Sequence, residues 1–239
     1  MYGWRMRMGH IYPSGGITGE QELAKMAPEG VAIHTTRVKF SRATYEQDLR
    51  MGDYVEDAAL LLADARVDII AFNCTMASLI KGHGYDKELI ARMTEITRIP
   101  ATTSTTAVLA ALERLQVRKL VLVTPYLDQM NEIEAAFLEA QGYQVLAKRG
   151  LGIQDPFDQG SVSPAAWYRL VKELRDPAAD LYFISCAGIE VVEIIDALEA
   201  DLQKPVITSN QALLWDCLHR TGVGQQMQGF GTLVSDHLP

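Results

Sequence analysis

The sequence predicts an α/β fold of two similar Rossmann-like lobes, each a parallel sheet flanked by helices, related by a pseudo-twofold axis around a shared cleft. Three observations lead there. Short apolar runs bounded by turn residues alternate with longer stretches of helical periodicity, the grammar of parallel βαβ units. A set of landmarks occurs twice in the same order, and the spacing between landmarks agrees in the two copies.

Taken along the chain, strands are expected at Arg5–Tyr12, Val31–Phe40, Asp68–Cys74, Lys119–Thr124, Tyr143–Lys148, Asp180–Ser185 and Pro205–Thr208. Helices are expected at Tyr54–Ala65, Thr106–Leu115, Glu132–Gln141, Pro164–Leu174, Val191–Ala200 and Gln211–Thr221. The repeat is written in three places. Asp68-Ile-Ile-Ala-Phe-Asn-Cys74 and Asp180-Leu-Tyr-Phe-Ile-Ser-Cys186 each run from an Asp through an apolar strand to a Cys. Downstream, the segments opening at Pro100 and Pro205 share the pattern P-x-x-T-S-x-x-A. Upstream, Pro13 and Pro125 each follow a strand, and each lies 61 positions before its cysteine. Any α/β protein repeats strand, turn and helix, but matched Cys and Pro spacings are harder to obtain without duplication. The division expected is 1–113 plus 209–239 for the first lobe and 114–208 for the second.

The 239 residues are enough for one large domain or two small ones sharing a cleft. A net charge of −8 with no Lys/Arg cluster argues against nucleic acid, because phosphate binding needs a basic patch. The amino terminus has charges but no apolar run after them, and no apolar stretch approaches the roughly 18 residues of a membrane span. Three dispersed cysteines suit a reducing compartment, so a soluble cytoplasmic protein is expected, and the five scattered histidines offer no metal-ligand spacing. Oligomeric state is left open, a homo-oligomer included.

Cys74 and Cys186 carry the chemistry. Equivalent strand ends of two lobes face each other across the cleft, where open parallel sheets bind ligands. Each Cys precedes a turn of small or hydroxylated residues, and a helix is expected after each. Unpaired N–H groups there would hold a carboxylate and lower the thiol pKa. The Thr103-Ser104 and Thr208-Ser209 pairs would add caps and hydroxyls nearby. Two thiols on opposite faces of one carbon can remove a proton and return one, with the carboxylate clamp stabilising the enediolate and no cofactor required. A lone strand-terminal Cys is more often an inert small hydrophobe; Cys217, on a helical face, is read that way.

Through Asn73-Cys74-Thr75, Thr102 to Leu109, Thr124-Pro125-Tyr126 with Asn131 beyond, and Ser185-Cys186-Ala187-Gly188, the chain resembles the aspartate/glutamate racemase superfamily. Within it, the resemblance is to the branch of maleate cis–trans isomerases and arylmalonate decarboxylases, and it covers nearly the whole chain. It implies two α/β lobes with the active site between them and Cys74 and Cys186 as the acid/base or nucleophile pair. It further implies a carboxylate pocket from Thr75, Tyr126, the backbone around Ser78, and Ala187 to Gly188. Two departures stand out. The Pro-Ser-x-Asn signature of the maleate isomerases reads Pro13-Ser14-Gly15-Gly16, and Met76 is large where that branch tends to have a hydroxyl. Ser14, Gly16 and Met76 are therefore placed at the substrate pocket, with polarity altered near the first cysteine. Arg37 is assigned either a distal carboxylate contact or a salt bridge. The function expected is a two-cysteine racemase or isomerase acting on a small carboxylate or dicarboxylate. The alternatives are a decarboxylase using Cys186 alone as proton donor, and a non-enzymatic carboxylate-binding sensor.

Overall fold

The computed structural model describes residues 2–238. Among these residues, eight strands form two separate four-stranded sheets. The first contains β1 (Met6–Pro13), β2 (Val31–Val38), β3 (Ile69–Phe72) and β4 (Ala101–Thr103); the second contains β5 (Lys119–Thr124), β6 (Gln144–Gly150), β7 (Leu181–Ile184) and β8 (Val206–Thr208). Their orders are β2-β1-β3-β4 and β6-β5-β7-β8, the same arrangement in each half, and every pairing is parallel. Identical topology on both sides is the structural form of the repeat.

The local reason for the sheets is burial. β3 and β7 are buried at every residue, as expected of parallel strands covered by helices on both faces. The edge strands β2 and β6 are half-exposed and carry Arg37, Lys148 and Arg149, charges that discourage edge-to-edge pairing. Strand ends shift by one or two residues from the sequence expectation, as hydrogen-bonded limits usually do.

Some elements differ in kind. β4 has three residues, too short for a periodic signal, and only its counterpart β8 was expected. The helices Ser104–Arg114 and Ser209–Arg220 begin two residues earlier than expected, because Thr103 and Thr208 are the caps and accept from the N–H of Thr106 and Gln211. Helices Gly19–Met26, Tyr45–Met51, Tyr85–Thr97, Pro156–Gly160 and Thr232–Asp236 were not expected; the charged Tyr85–Thr97 buries only Tyr85, Asp86, Leu89 and Met93. After Cys186 a turn comes first, and the helix expected at Val191–Ala200 opens as a 3₁₀ segment at Val192–Ile194 before the α-helix Ile195–Leu202. Among the described residues, no helix is long and apolar enough to cross a membrane.

Candidate active site

Cys74 and Cys186 sit just beyond the carboxyl ends of β3 and β7, and both line one small cavity. Both are free thiols and nearly buried. Buried polar side chains from the two halves fix the floor beneath them. Asn73 donates to Asn210 Oδ1 (2.9 Å) and to His10 Nε2 (3.0 Å), while its own Oδ1 accepts from Ser104 (2.9 Å). Burial pushes His10 down to about 3, with Arg37 adding to the effect, so the imidazole is neutral and its Nδ1 faces Thr35. Glu22 Oε1 accepts the Val191 and Val192 N–H groups, and its Oε2 accepts from Asn210. Ser209 takes a hydrogen bond from Thr75 Oγ1 (2.8 Å) and another from the Cys186 N–H (3.1 Å). The strand ends are thus locked to each other, which positions the thiols to within side-chain freedom.

The two cysteines differ in backbone. Cys74 is extended, at φ −153°, and caps the short helix Thr75–Leu79. Cys186 has φ +145°, a region L residues rarely adopt, which costs on the order of 1–3 kcal/mol and is found where geometry serves a site. That conformation lets the Gly188 N–H donate to Cys186 Sγ at 3.2 Å.

Several expected residues are where the sequence reading put them. Tyr126, Ala187, Gly188, Gly16 and Met76 line the cavity. Thr124 Oγ1 accepts the Tyr126 N–H and donates to Asn131, fixing the turn that carries Tyr126. Others are not on the cavity wall. The Thr75 hydroxyl is engaged by Ser209. Ser78 bonds back to the carbonyls of Cys74 and Thr75, with its N–H held inside the helix. Ser14 is exposed and bridges to the Phe40 backbone. Arg37 pairs with Glu20 and donates to the carbonyls of Ser14 and Gly16, bracing that turn from outside; of its two assigned roles the structure contains the salt bridge. Cys217 is core.

Sequence reasoning missed three polar groups at the cavity. The Tyr12 phenol accepts from the Gly19 N–H (2.9 Å) and donates to the Ala187 carbonyl (3.3 Å). A Cβ at Gly16 would lie 2.3 Å from its hydroxyl, so Tyr12 occupies the space a side chain there would need. Asp48, on the helix Tyr45–Met51, accepts from Cys74 Sγ at 3.8 Å, and Gln159, on the helix Pro156–Gly160, accepts from Cys186 Sγ at 3.8 Å. The repeat itself was the available signal. Cys74 and Cys186 are 112 positions apart, and the same offset maps Gln159 beside Asp48.

The expectation of lowered thiol pKa values is overturned. Burial raises Cys74 well above its ordinary value, with the Asp48 carboxyl adding to it, and pushes Cys186 up to about 12 despite the Gly188 N–H. The physical reason is the wall composition. Phe40, Ala43, Met76 and Pro156 are apolar, no Lys, Arg or His among the described residues lines the cavity, and the dipole of one short helix does not offset desolvation. Burial likewise pushes Asp48 up to about 8. Such a site can hold one carboxylate through neutral donors and exchange protons on either side of it.

Known proteins share this architecture. The chain is 31% identical over 185 residues to the arylmalonate decarboxylase of Bordetella bronchiseptica, covering 76% of this chain and 77% of that one. It is 26% identical over 242 residues to the maleate isomerase of Pseudomonas putida strain KT2440, covering 96% and 97%. The crystal structure of a C-to-A variant of the maleate isomerase of P. putida S16 with maleate superposes with a TM-score of 0.94 at 28% identity, covering 98% of each chain. The family model of arylmalonate decarboxylase matches residues 18–234, a span that holds both cysteines and every strand but β1. By that match, and by the two parallel sheets that carry its thiols, the chain belongs to the arylmalonate decarboxylase family.

Proposed function

We propose that this chain is a two-cysteine racemase or isomerase that moves protons, without a cofactor, at the carbon next to the carboxylate of a small organic acid. The observation that carries the reading is that Cys74 and Cys186, from equivalent positions of the two halves, line one cavity. In this reading the substrate carboxylate lies against Tyr126 and the backbone at Ala187 and Gly188. One thiol, as thiolate, takes the proton from the neighbouring carbon while the other delivers one from the opposite face. Neutral donors holding the carboxylate stabilise the enediolate as its charge grows. The strained backbone of Cys186 supports a chemical rather than a packing role for that thiol. A reducing, cytoplasmic setting goes with a reaction that uses free thiols.

The substrate is a carboxylate or dicarboxylate; similarity to maleate isomerases supports a small dicarboxylate as the first to try. Incubating maleate, 2-arylpropionates and amino acids in heavy water should place deuterium on the carbon beside the carboxylate. Cys74→Ser and Cys186→Ser should each abolish exchange; full activity in both single variants rejects the two-thiol reading. Decarboxylation of an arylmalonate by Cys186 alone is the second reading, favoured by the apolar wall of Phe40, Met76 and Pro156. Under it, Cys74→Gly keeps carbon dioxide release and loses racemisation of the product.

A further inference from the structure

The repeat places one polar side chain beside each thiol, but the two are chemically unequal. Asp48 comes from the short helix after β2 and Gln159 from the short helix after β6, and each accepts from its cysteine at 3.8 Å. Both are nearly buried, and both line the cavity. A carboxylate can take a proton from a thiol; a carboxamide cannot. Among the described residues, Cys74 is the only side chain that hydrogen-bonds to the Asp48 carboxyl.

We propose that Asp48 and Cys74 form a proton-sharing pair, which makes the Cys74 side of the cavity its proton-accepting half and the Gln159-facing Cys186 its proton-donating half. The inference rests on the two-thiol reading and adds a direction to it. It also answers how a thiolate arises where no cationic side chain lines the cavity to stabilise one. The Cys74 S–H bond breaks and its proton passes to Asp48, leaving a thiolate beside a neutral carboxyl. The thiolate takes the proton from the substrate carbon, and the Cys186 S–H bond breaks to deliver its proton to the opposite face. Turnover leaves Cys74 protonated, Cys186 as thiolate and Asp48 carrying one proton. That proton returns to Cys186 through water once product has left, and the balance closes with nothing consumed.

The pair stands apart from the ionisable groups around it. Cys186, Tyr126 and Tyr12 are the other titratable groups on the cavity wall. Glu134 lies outside that wall, bonded to Ser185. His10 is held by Asn73 and Thr35, and Arg37 by Glu20. None of these hydrogen-bonds to the Asp48 carboxyl. Burial raises both members of the pair, and the Asp48 carboxyl acts directly on the Cys74 thiol, so the two titrate as one coupled unit.

The test is the rate of modification of each cysteine by methyl methanethiosulfonate between pH 6 and 10, resolved by peptide mass spectrometry on the full chain. A thiol that titrates alone, well above pH 9, reacts about tenfold faster per pH unit across that range. In the wild type, Cys74 should rise this way only to about pH 8, where the pair loses its first proton, and then level off. Asp48→Asn should remove the plateau, so that the Cys74 rate climbs a further tenfold or more between pH 8 and 9.5. Cys186 should climb throughout in both proteins. Should Asp48→Asn fail to fold, Gln159→Glu tests the same principle by giving Cys186 a plateau it lacks. A wild-type Cys74 rate that climbs without levelling, or a plateau that survives Asp48→Asn, overturns the proposal. No substrate is involved, so this outcome is separate from the exchange results of the cysteine-to-serine variants.

Discussion

Gly16→Ala is the most searching perturbation of the cavity wall, because one methyl group meets the Tyr12 phenol head-on. A Cβ there would stand 2.3 Å from the hydroxyl, 2.6 Å from Cζ and 2.9 Å from Cε1, against ordinary contacts of 3.4 Å or more. The ring must shift by about 1 Å. It cannot do so without disturbing the hydrogen bonds to the Gly19 N–H and the Ala187 carbonyl. Overpacking a closed site costs about 1–3 kcal/mol, and a weakened buried hydrogen bond about 1 kcal/mol more for each partner left short. A loss of about 2–5 kcal/mol is expected in urea unfolding, together with loss of activity as the ring enters the cavity. In a Tyr12→Leu background the same alanine should cost under about 1 kcal/mol, since the clash and both hydrogen bonds are already gone. A Gly16→Ala cost within about 0.5 kcal/mol of zero, or an equal cost in both backgrounds, would refute the assignment of that space to Tyr12.

At the cysteines, backbone conformation predicts opposite preferences. Cys186→Gly should unfold at higher temperature than Cys186→Ala, because glycine relieves the φ of +145°, whereas at extended Cys74 the order should reverse by about 0.5–1 kcal/mol. Ser209→Ala removes the acceptor shared by Thr75 and the Cys186 N–H, and should cost about 1–3 kcal/mol in chemical denaturation while lowering exchange activity. Stability should also depend on pH. Burial raises Glu22 and Glu134 to about 7 from their ordinary 4.5, so the folded state holds protons that the unfolded chain releases. Their contribution is complete below about pH 4.5 and lost as pH rises through about 7. Urea midpoints should therefore fall between pH 5 and 8, and Glu134→Gln should make that slope shallower.

The duplication and both cysteines could be read from the chain because each has a local signature. Strands buried on both faces are continuous apolar runs, and Asp68 to Cys74 and Asp180 to Cys186 repeat one such run with its landmarks intact. Elements without periodicity escaped: three-residue β4 and the short helices carrying Asp48 and Gln159. The resemblance likewise led to Thr75, Ser78 and Ser14, whose hydroxyls the structure engages elsewhere.

What the sequence determined alone is the repeated α/β topology and the presence of two thiols at equivalent strand ends, since both follow from order and spacing along the chain. Tertiary structure decided the chemistry around them: the Tyr12 phenol in the space beside Gly16, the acid facing one thiol and the amide facing the other, and the upward shift of both thiols. These are consequences of distance and water exclusion between segments far apart in sequence, and no local pattern encodes the dielectric a side chain will meet.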